Sequence, residues 1–214
     1  MASRSLIVNA DDFGFTRGVN AGIIEAHRNG ILTATTLMAN GPAFDDAVGL
    51  ARGNPSLDVG CHLVLVGGCS LLDSNRPFPA TVRHLVVAIA ARLLDIYAEL
   101  RAQVDRIVKA GLNPSHLDTH KHTHLLPPVR DAVARLARET GIRWVRRPFD
   151  LPIAGPNSAP WAARLSGGAL AVTRRRFHLV FERHGCLMTD HFAGFRMTGR
   201  FHKEIGRASC RERV

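Results

Sequence analysis

The stretch Ser5-Leu6-Ile7-Val8-Asn9-Ala10-Asp11-Asp12-Phe13-Gly14 starts as a short apolar run and stops at two adjacent carboxylates. Aliphatic and β-branched residues bounded by a polar turn predict a buried strand that carries Asp11 and Asp12 at its C-terminal end. Beyond it, Val19, Ile23, Ile24 and Ala26 recur at helical spacing, with Thr16 as the expected N-cap and Asn29-Gly30 as the stop. The unit of strand, turn and helix then repeats. Ile31 to Ala39 predicts a second strand, Phe44 to Arg52 a second helix, and Leu57 to Val66 a third strand with His62 near its end. A loop rich in Pro, Ser and Asn covers 69–80, and Thr81 to Ala110 predicts one long helix with room for a bend. Ser115 to His120 predicts a fourth strand. Leu126 to Thr140 predicts a helix opened by Pro127-Pro128 and closed before Gly141, and Ile142 to Arg147 a fifth strand. After Pro148 the signal weakens to a loop over 152–160, a helix from Trp161 to about Arg176 and a strand-like piece at 186–192.

Strands alternating with helices across short turns predict a parallel sheet, either doubly wound and open or closed into a barrel. In both, functional groups gather at the C-terminal ends of the strands. Asp11, Asp12, His62, Asp118 and His120 all fall at such ends, which predicts one shared site.

The remaining composition narrows the class. With 214 residues, 46% hydrophobic and 21% charged, the chain is expected to form one globular domain. Its longest apolar run, Leu85 to Ala91, is far shorter than the roughly 20 residues that span a bilayer. Leu6-Ile7-Val8 is too short for the apolar part of a secretory signal, so a cytoplasmic location is expected. The four cysteines, Cys61, Cys69, Cys186 and Cys210, form no closely spaced pair, which argues against a disulfide framework or a thiolate zinc site. A net charge of +10 would suit an acidic partner, nucleic acid or an anionic membrane. With aromatic residues at 6% and no nucleic-acid motif, no specific nucleic acid is expected.

Eleven histidines include four, His116, His120, His122 and His124, within nine residues. A hydrolytic metal site commonly takes three carboxylate or imidazole ligands and leaves a position open. Asp12, His62 and His120 can supply such a set. The neighbouring Asp11 would point elsewhere and stay available to accept a proton. If the fourth strand continued, Asp118, His120, His122 and His124 would share one face, so the spacing leaves open which of them ligate. A lone Asp-Asp pair before a helix is commonly no more than a helix opener; histidines in alternation beside an aspartate demand more.

Three motifs occur in order: Asn9 to Gly14 followed by the helix Gly18 to Gly30 and Thr33 to Thr36; Gly60-Cys61-His62-Leu63; and His116-Leu117-Asp118-Thr119-His120-Lys121-His122-Thr123-His124. Together they closely resemble the YdjC-like carbohydrate deacetylases, the ChbG/HpnK family. The later segments Arg146 to Asp150 and Thr189 to Phe195 resemble the hopanoid-biosynthesis (HpnK) branch. The resemblance implies a deformed TIM-like (β/α) barrel that removes an N-acetyl group from an amino sugar with a metal-activated water. It implies Asp12, His62 and His120 as ligands of one divalent ion and Asp11 as general base. His124 and His122 are the candidates for giving the departing amine its proton, and His122, Arg147 and Asp150 are the expected substrate contacts. The family's usual ion is Mg2+, while the donor types suit Zn2+ at least as well.

Family members also carry a Cys-His-Pro motif near the C-terminus, which this sequence lacks. Residues 204–214 read like a translated sequencing adapter, so the expectation is a deacetylase domain over 1–203, truncated and incomplete as a barrel and a site, with a non-native tail. The alternatives are a metal-dependent hydrolase of another amide or ester, and a non-catalytic basic binding domain. A homodimer and peripheral contact with an anionic membrane complete the expected partners.

Overall fold

The computed structural model describes residues 5–149 and 173–194. Five strands, β1 (Asn9–Phe13), β2 (Ala34–Leu37), β3 (Asp58–Leu63), β4 (His116–Thr119) and β5 (Trp144–Val145), form one parallel sheet in the order of the chain. That order settles the choice the sequence left open. Each crossover steps one strand the same way, so right-handed connections place the helices on one face, as in a (β/α) barrel and unlike a doubly wound sheet. Among the described residues the sheet is an arc and does not close. The chain clusters into two compact units, 1–146 with 175–188, and 147–174 with 189–214. The sheet and its helices belong to the first.

Helix α1 (Arg17–Asn29) starts where expected, with the Thr16 hydroxyl accepting from the Val19 N–H at 3.1 Å. It buries Ile23 and Ile24, and α2 (Phe44–Arg52) buries Phe44, Ala47, Val48 and Ala51. The predicted long helix over Thr81 to Ala110 is instead two, α3 (Val82–Ala90) and α4 (Ile96–Lys109). Between them Arg92 is left-handed (φ 53°), and Asp95 caps the second helix by accepting from the Ala98 N–H at 3.0 Å. A capping aspartate followed by a new helix is a start signal that apolar periodicity alone passes over. Helix α5 (Pro127–Thr140) opens on its proline pair and ends at Gly141, left-handed with φ 75°. It packs against α4 and buries Val129, Val133, Ala134, Leu136 and Ala137.

The helix expected to end near Arg176 continues over 173–183; its expected start and the loop before it lie outside the described residues, as do Asp150 and the tail at 204–214. The strand-like piece at 186–192 reduces to one parallel bridge, Leu187 beside Trp144, with the Val145 N–H donating to the Leu187 carbonyl at 2.9 Å. No described helix is long and apolar enough to cross a membrane.

Two features shape the C-terminal rim. The Gln103 side chain from α4 bonds both the N–H and the carbonyl of Val64, at 2.7 and 2.8 Å, where the chain leaves β3. The turn after β2 packs against the turn after β1 so closely that a Cβ on Gly41 would stand 2.2 Å from the Gly14 carbonyl oxygen. Only glycine permits that approach.

Candidate metal centre

Every strand delivers polar groups to this rim. Asp11 and Asp12 come from β1, Thr36 from β2, His62 from β3 and Asp118 from β4, while His120 and Arg146 follow β4 and β5 directly. The decisive local event is in β1. Its register with β2 shifts between Ala10 and Phe13, and within that bulge Asp12 takes a left-handed φ of 64°. A bulge breaks the alternation of a strand, so both adjacent aspartates can face the site. Such a backbone in a non-glycine residue costs of order 1–3 kcal/mol and persists only where the surroundings hold it. Here Phe13, wholly buried, anchors the turn, and its carbonyl accepts from the Met38 N–H at 2.8 Å.

Asp12 Oδ1 lies 3.3 Å from His62 Nε2 and 3.2 Å from His120 Nδ1, and the two imidazole nitrogens are 3.2 Å apart. Donor atoms bound to one small divalent cation at about 2.0–2.2 Å stand roughly 3.0–3.5 Å from one another, so this triangle has the size of a metal's ligand set. Asp12 Oδ1 is buried with no well-aligned hydrogen bond despite its two close neighbours, as expected of donor atoms aimed at a common point. Three carboxylates, Asp11, Asp12 and Asp118, face one guanidinium, Arg146; the negative excess favours a proton on His62, and a divalent ion would take that proton's place. On size, donor chemistry and charge, these residues fit a metal.

His62 is oriented from behind. Its Nδ1–H donates to Asp118 Oδ1 at 2.6 Å, which leaves Nε2 to face Asp12 and His120. Burial disfavours a charged His62, but the Asp118 carboxylate, then Asp12 and Asp11, outweigh it and raise its pKa to about 10. The contacts with His120 and then His62 hold the Asp12 carboxyl well below the usual range. Burial would raise the pKa of Asp118, yet Arg146 and His62 drive it down. The Thr36 hydroxyl lies within 3.2–3.4 Å of His62, Asp118 and Asp11.

Asp11 stands beside this triangle. Arg146 donates to both its oxygens, Nη1 to Oδ2 at 2.7 Å and Nη2 to Oδ1 at 2.6 Å, and Asn9 donates to Oδ1 at 2.8 Å. Nη2 also lies 2.9 Å from Asp118 Oδ2. The sequence places Arg146 and Thr36 within recognisable motifs but marks only Arg147 as a site residue. No local signal separates the two arginines: only the register, in which Leu117 pairs with Val145, brings the residue after Val145 level with Asp118. Arg147 belongs to the second unit, where its guanidinium donates to the Asp190 carbonyl.

The expected shared face of Asp118, His120, His122 and His124 does not form. The strand stops at Thr119, and Lys121 (φ 54°) and His122 (φ 50°) turn through the left-handed region. His120 remains at the site. His122 is part-exposed, its pKa lowered by burial and then by Arg146. His124 is fully buried: its Nε2–H donates to the Arg146 carbonyl at 3.1 Å and its Nδ1 accepts from the Thr119 hydroxyl, which in turn accepts from the His124 N–H at 3.0 Å. Burial, then His122, lower its pKa to about 3. A neutral ring with both nitrogens engaged suits a brace between β4 and β5 better than a proton donor.

Fold and site together define an α/β protein of the (β/α)-barrel type with an Asp-His-His cradle at the C-terminal ends of its strands. The chain belongs to the YdjC-like protein family, whose model matches residues 5–211. It is 48% identical over 141 residues to a carbohydrate deacetylase of Brevibacillus brevis, covering 63% of this chain and 56% of that one. It is 46% identical over 159 residues to a carbohydrate deacetylase of Geobacillus stearothermophilus, covering 70% and 64%. A carbohydrate deacetylase of Oceanobacillus iheyensis is 43% identical over 139 residues, covering 62% and 60%. The chain thus spans less than two thirds of the length of these curated relatives. The crystal structure of an Enterococcus faecalis protein provisionally named for cellobiose-phosphate cleavage matches with a TM-score of 0.67 at 22% identity, over 95% of this chain and 75% of that one, a likeness of fold.

Proposed function

We propose that this chain carries the active site of a metal-dependent carbohydrate N-deacetylase acting on an acetylated amino sugar. The observation that carries the reading is the triangle of Asp12, His62 and His120 with a separate carboxylate, Asp11, beside it. The names of the relatives, all carbohydrate deacetylases, support the substrate class. The sugar could be free, part of a chitooligosaccharide, or carried on a hopanoid or other lipid, as the resemblance of the later segments suggests.

In this reading Asp12, His62 and His120 hold one divalent ion, with Asp118 fixing the His62 tautomer. The bound ion would polarise the acetyl carbonyl and lower the pKa of a water. Asp11, held beside the cradle by Arg146 and Asn9, accepts the proton that the attacking water sheds. The amine leaves with a proton, for which His122, on its left-handed turn, is better placed than the closed-in His124. One carboxylate and two imidazoles form a zinc-type donor set, and the family resemblance points to magnesium; elemental analysis of the purified protein decides between them.

The test is acetate release from N-acetylated chitooligosaccharides. Turnover should vanish with chelator and return with added divalent ion. Asp12→Ala, His62→Ala and His120→Ala should each lose bound metal and turnover together, whereas Asp11→Asn should keep metal and lose turnover. Normal deacetylation by all three alanine variants would end the reading.

A further inference from the structure

Two candidate cation clusters share His62. One is Asp12, His62 and His120; the other is Asp11, His62 and Asp118. Asp11 and Asp12 are sequence neighbours with identical donors, and both lie within a few ångströms of the same imidazole, so nothing in their chemistry decides which goes to a cation. The second cluster, however, already contains one: the Arg146 guanidinium, whose side chain is 11% exposed, with Nη2 at 2.6 Å from Asp11 and 2.9 Å from Asp118.

We propose that Arg146 is a positioning residue that sorts the paired aspartates, fastening Asp11 outside the cradle so that Asp12 is the single carboxylate within it. The proposal rests on the reading of Asp12, His62 and His120 as a metal cradle. The geometry is specific to a guanidinium. Its planar fork meets both oxygens of Asp11 while Nη2 also reaches Asp118, and a lysine ammonium, a single point of charge, cannot match that fork. Asn9 and Thr36 assist at Asp11 Oδ1 but are neutral, so with Arg146 removed Asp11 loses both of its guanidinium bonds, while Asp118 keeps its hydrogen bond from His62. Asp11 shares the His62 imidazole with the cradle, so an ion held there is then within its reach. Arg146 would thereby keep one carboxylate off the metal and available to a proton, and keep a coordination position open for water.

The test uses cobalt(II) as the probe, because its visible spectrum loses intensity as ligands are added. Wild-type protein should bind one cobalt with the stronger absorption of low coordination. In Arg146→Gln the absorption should weaken and the cobalt affinity change by about tenfold or more, the range seen when groups that orient a metal's ligands are altered. Adding Asp11→Asn to Arg146→Gln should restore the wild-type spectrum, a reversal that general damage to the fold would not produce. Arg146→Lys is read in the same way should the glutamine variant fail to fold. A wild-type spectrum and affinity in a folded Arg146 variant, or an altered spectrum that persists in the double variant, overturns the proposal while leaving the metal reading intact. Failure of the wild-type protein to bind cobalt or any other divalent ion removes both.

Discussion

At the scale of single residues, the site depends on pairs whose members do different jobs. Asp11 and Asp12 are one such pair, and Asp118 and His62 another. The 2.6 Å bond from His62 to Asp118 fixes which imidazole nitrogen faces the cradle. Asp118→Asn is therefore expected to weaken divalent-ion binding by about 10- to 100-fold with the fold retained, measured by calorimetric titration; unchanged affinity would mean that Asp118 is only a partner for Arg146. His124 makes a separate prediction. Its pKa is about 3 in the folded state against roughly 6.5 in an unfolded chain, so on acidification the unfolded chain takes up a proton that the native protein refuses. Stability is thus lost as pH falls below about 6.5. Between pH 7 and pH 5 this one group should cost about 2 kcal/mol, and urea unfolding of His124→Asn should show a pH dependence flatter by that amount. Parallel slopes for the two proteins would show that His124 is not neutral and enclosed.

At the scale of elements, two turns make the cradle. The bulge in β1 swings Asp12 toward His62, and the turn after β2 buttresses it through hydrogen bonds from Met38 N–H to the Phe13 carbonyl and from Ala43 N–H to the Gly14 carbonyl, at 2.8 and 2.9 Å. A methyl group on residue 41 has backbone, not a movable side chain, in its way. Gly41→Ala should cost about 1–3 kcal/mol as an overpacked contact, and it should also lower metal affinity because the part that must give way carries Asp12. A variant with reduced stability but wild-type metal affinity would show that the two turns move independently.

At the scale of the whole molecule, metal binding and folding should be linked. The three donors lie at positions 12, 62 and 120, brought together only by the sheet, so an ion that binds them favours the folded chain. At free metal near 100 times the dissociation constant, the unfolding free energy should rise by about 2.7 kcal/mol, and thermal denaturation monitored by circular dichroism should show the rise reversed by chelator. His120→Ala should abolish the effect. A wild-type transition that ignores both metal and chelator would leave the cradle without its ion.

Much of this was legible in one dimension because its physics is local. Apolar periodicity, the Thr16 cap, the proline pair at 127–128 and the glycine at 141 place α1, α2 and α5 almost to the residue, and strand ends rich in Asp and His mark the functional rim. The histidine alternation after Asp118 misled for the opposite reason: periodicity holds only while a strand continues, and the left-handed turn at Lys121 and His122 ends it. Choosing a barrel arc over a doubly wound sheet needed strand order, and choosing Arg146 over Arg147 needed the register of β5 on β4. By itself, then, the sequence determined the element types and the chemical kinds of group at the rim, since these follow from neighbours within a few positions along the chain. Only the tertiary structure decided which aspartate faces the histidines, which arginine restrains the other, and which histidine is sealed inside, because those choices turn on contacts between residues as far as 22 to 135 positions apart.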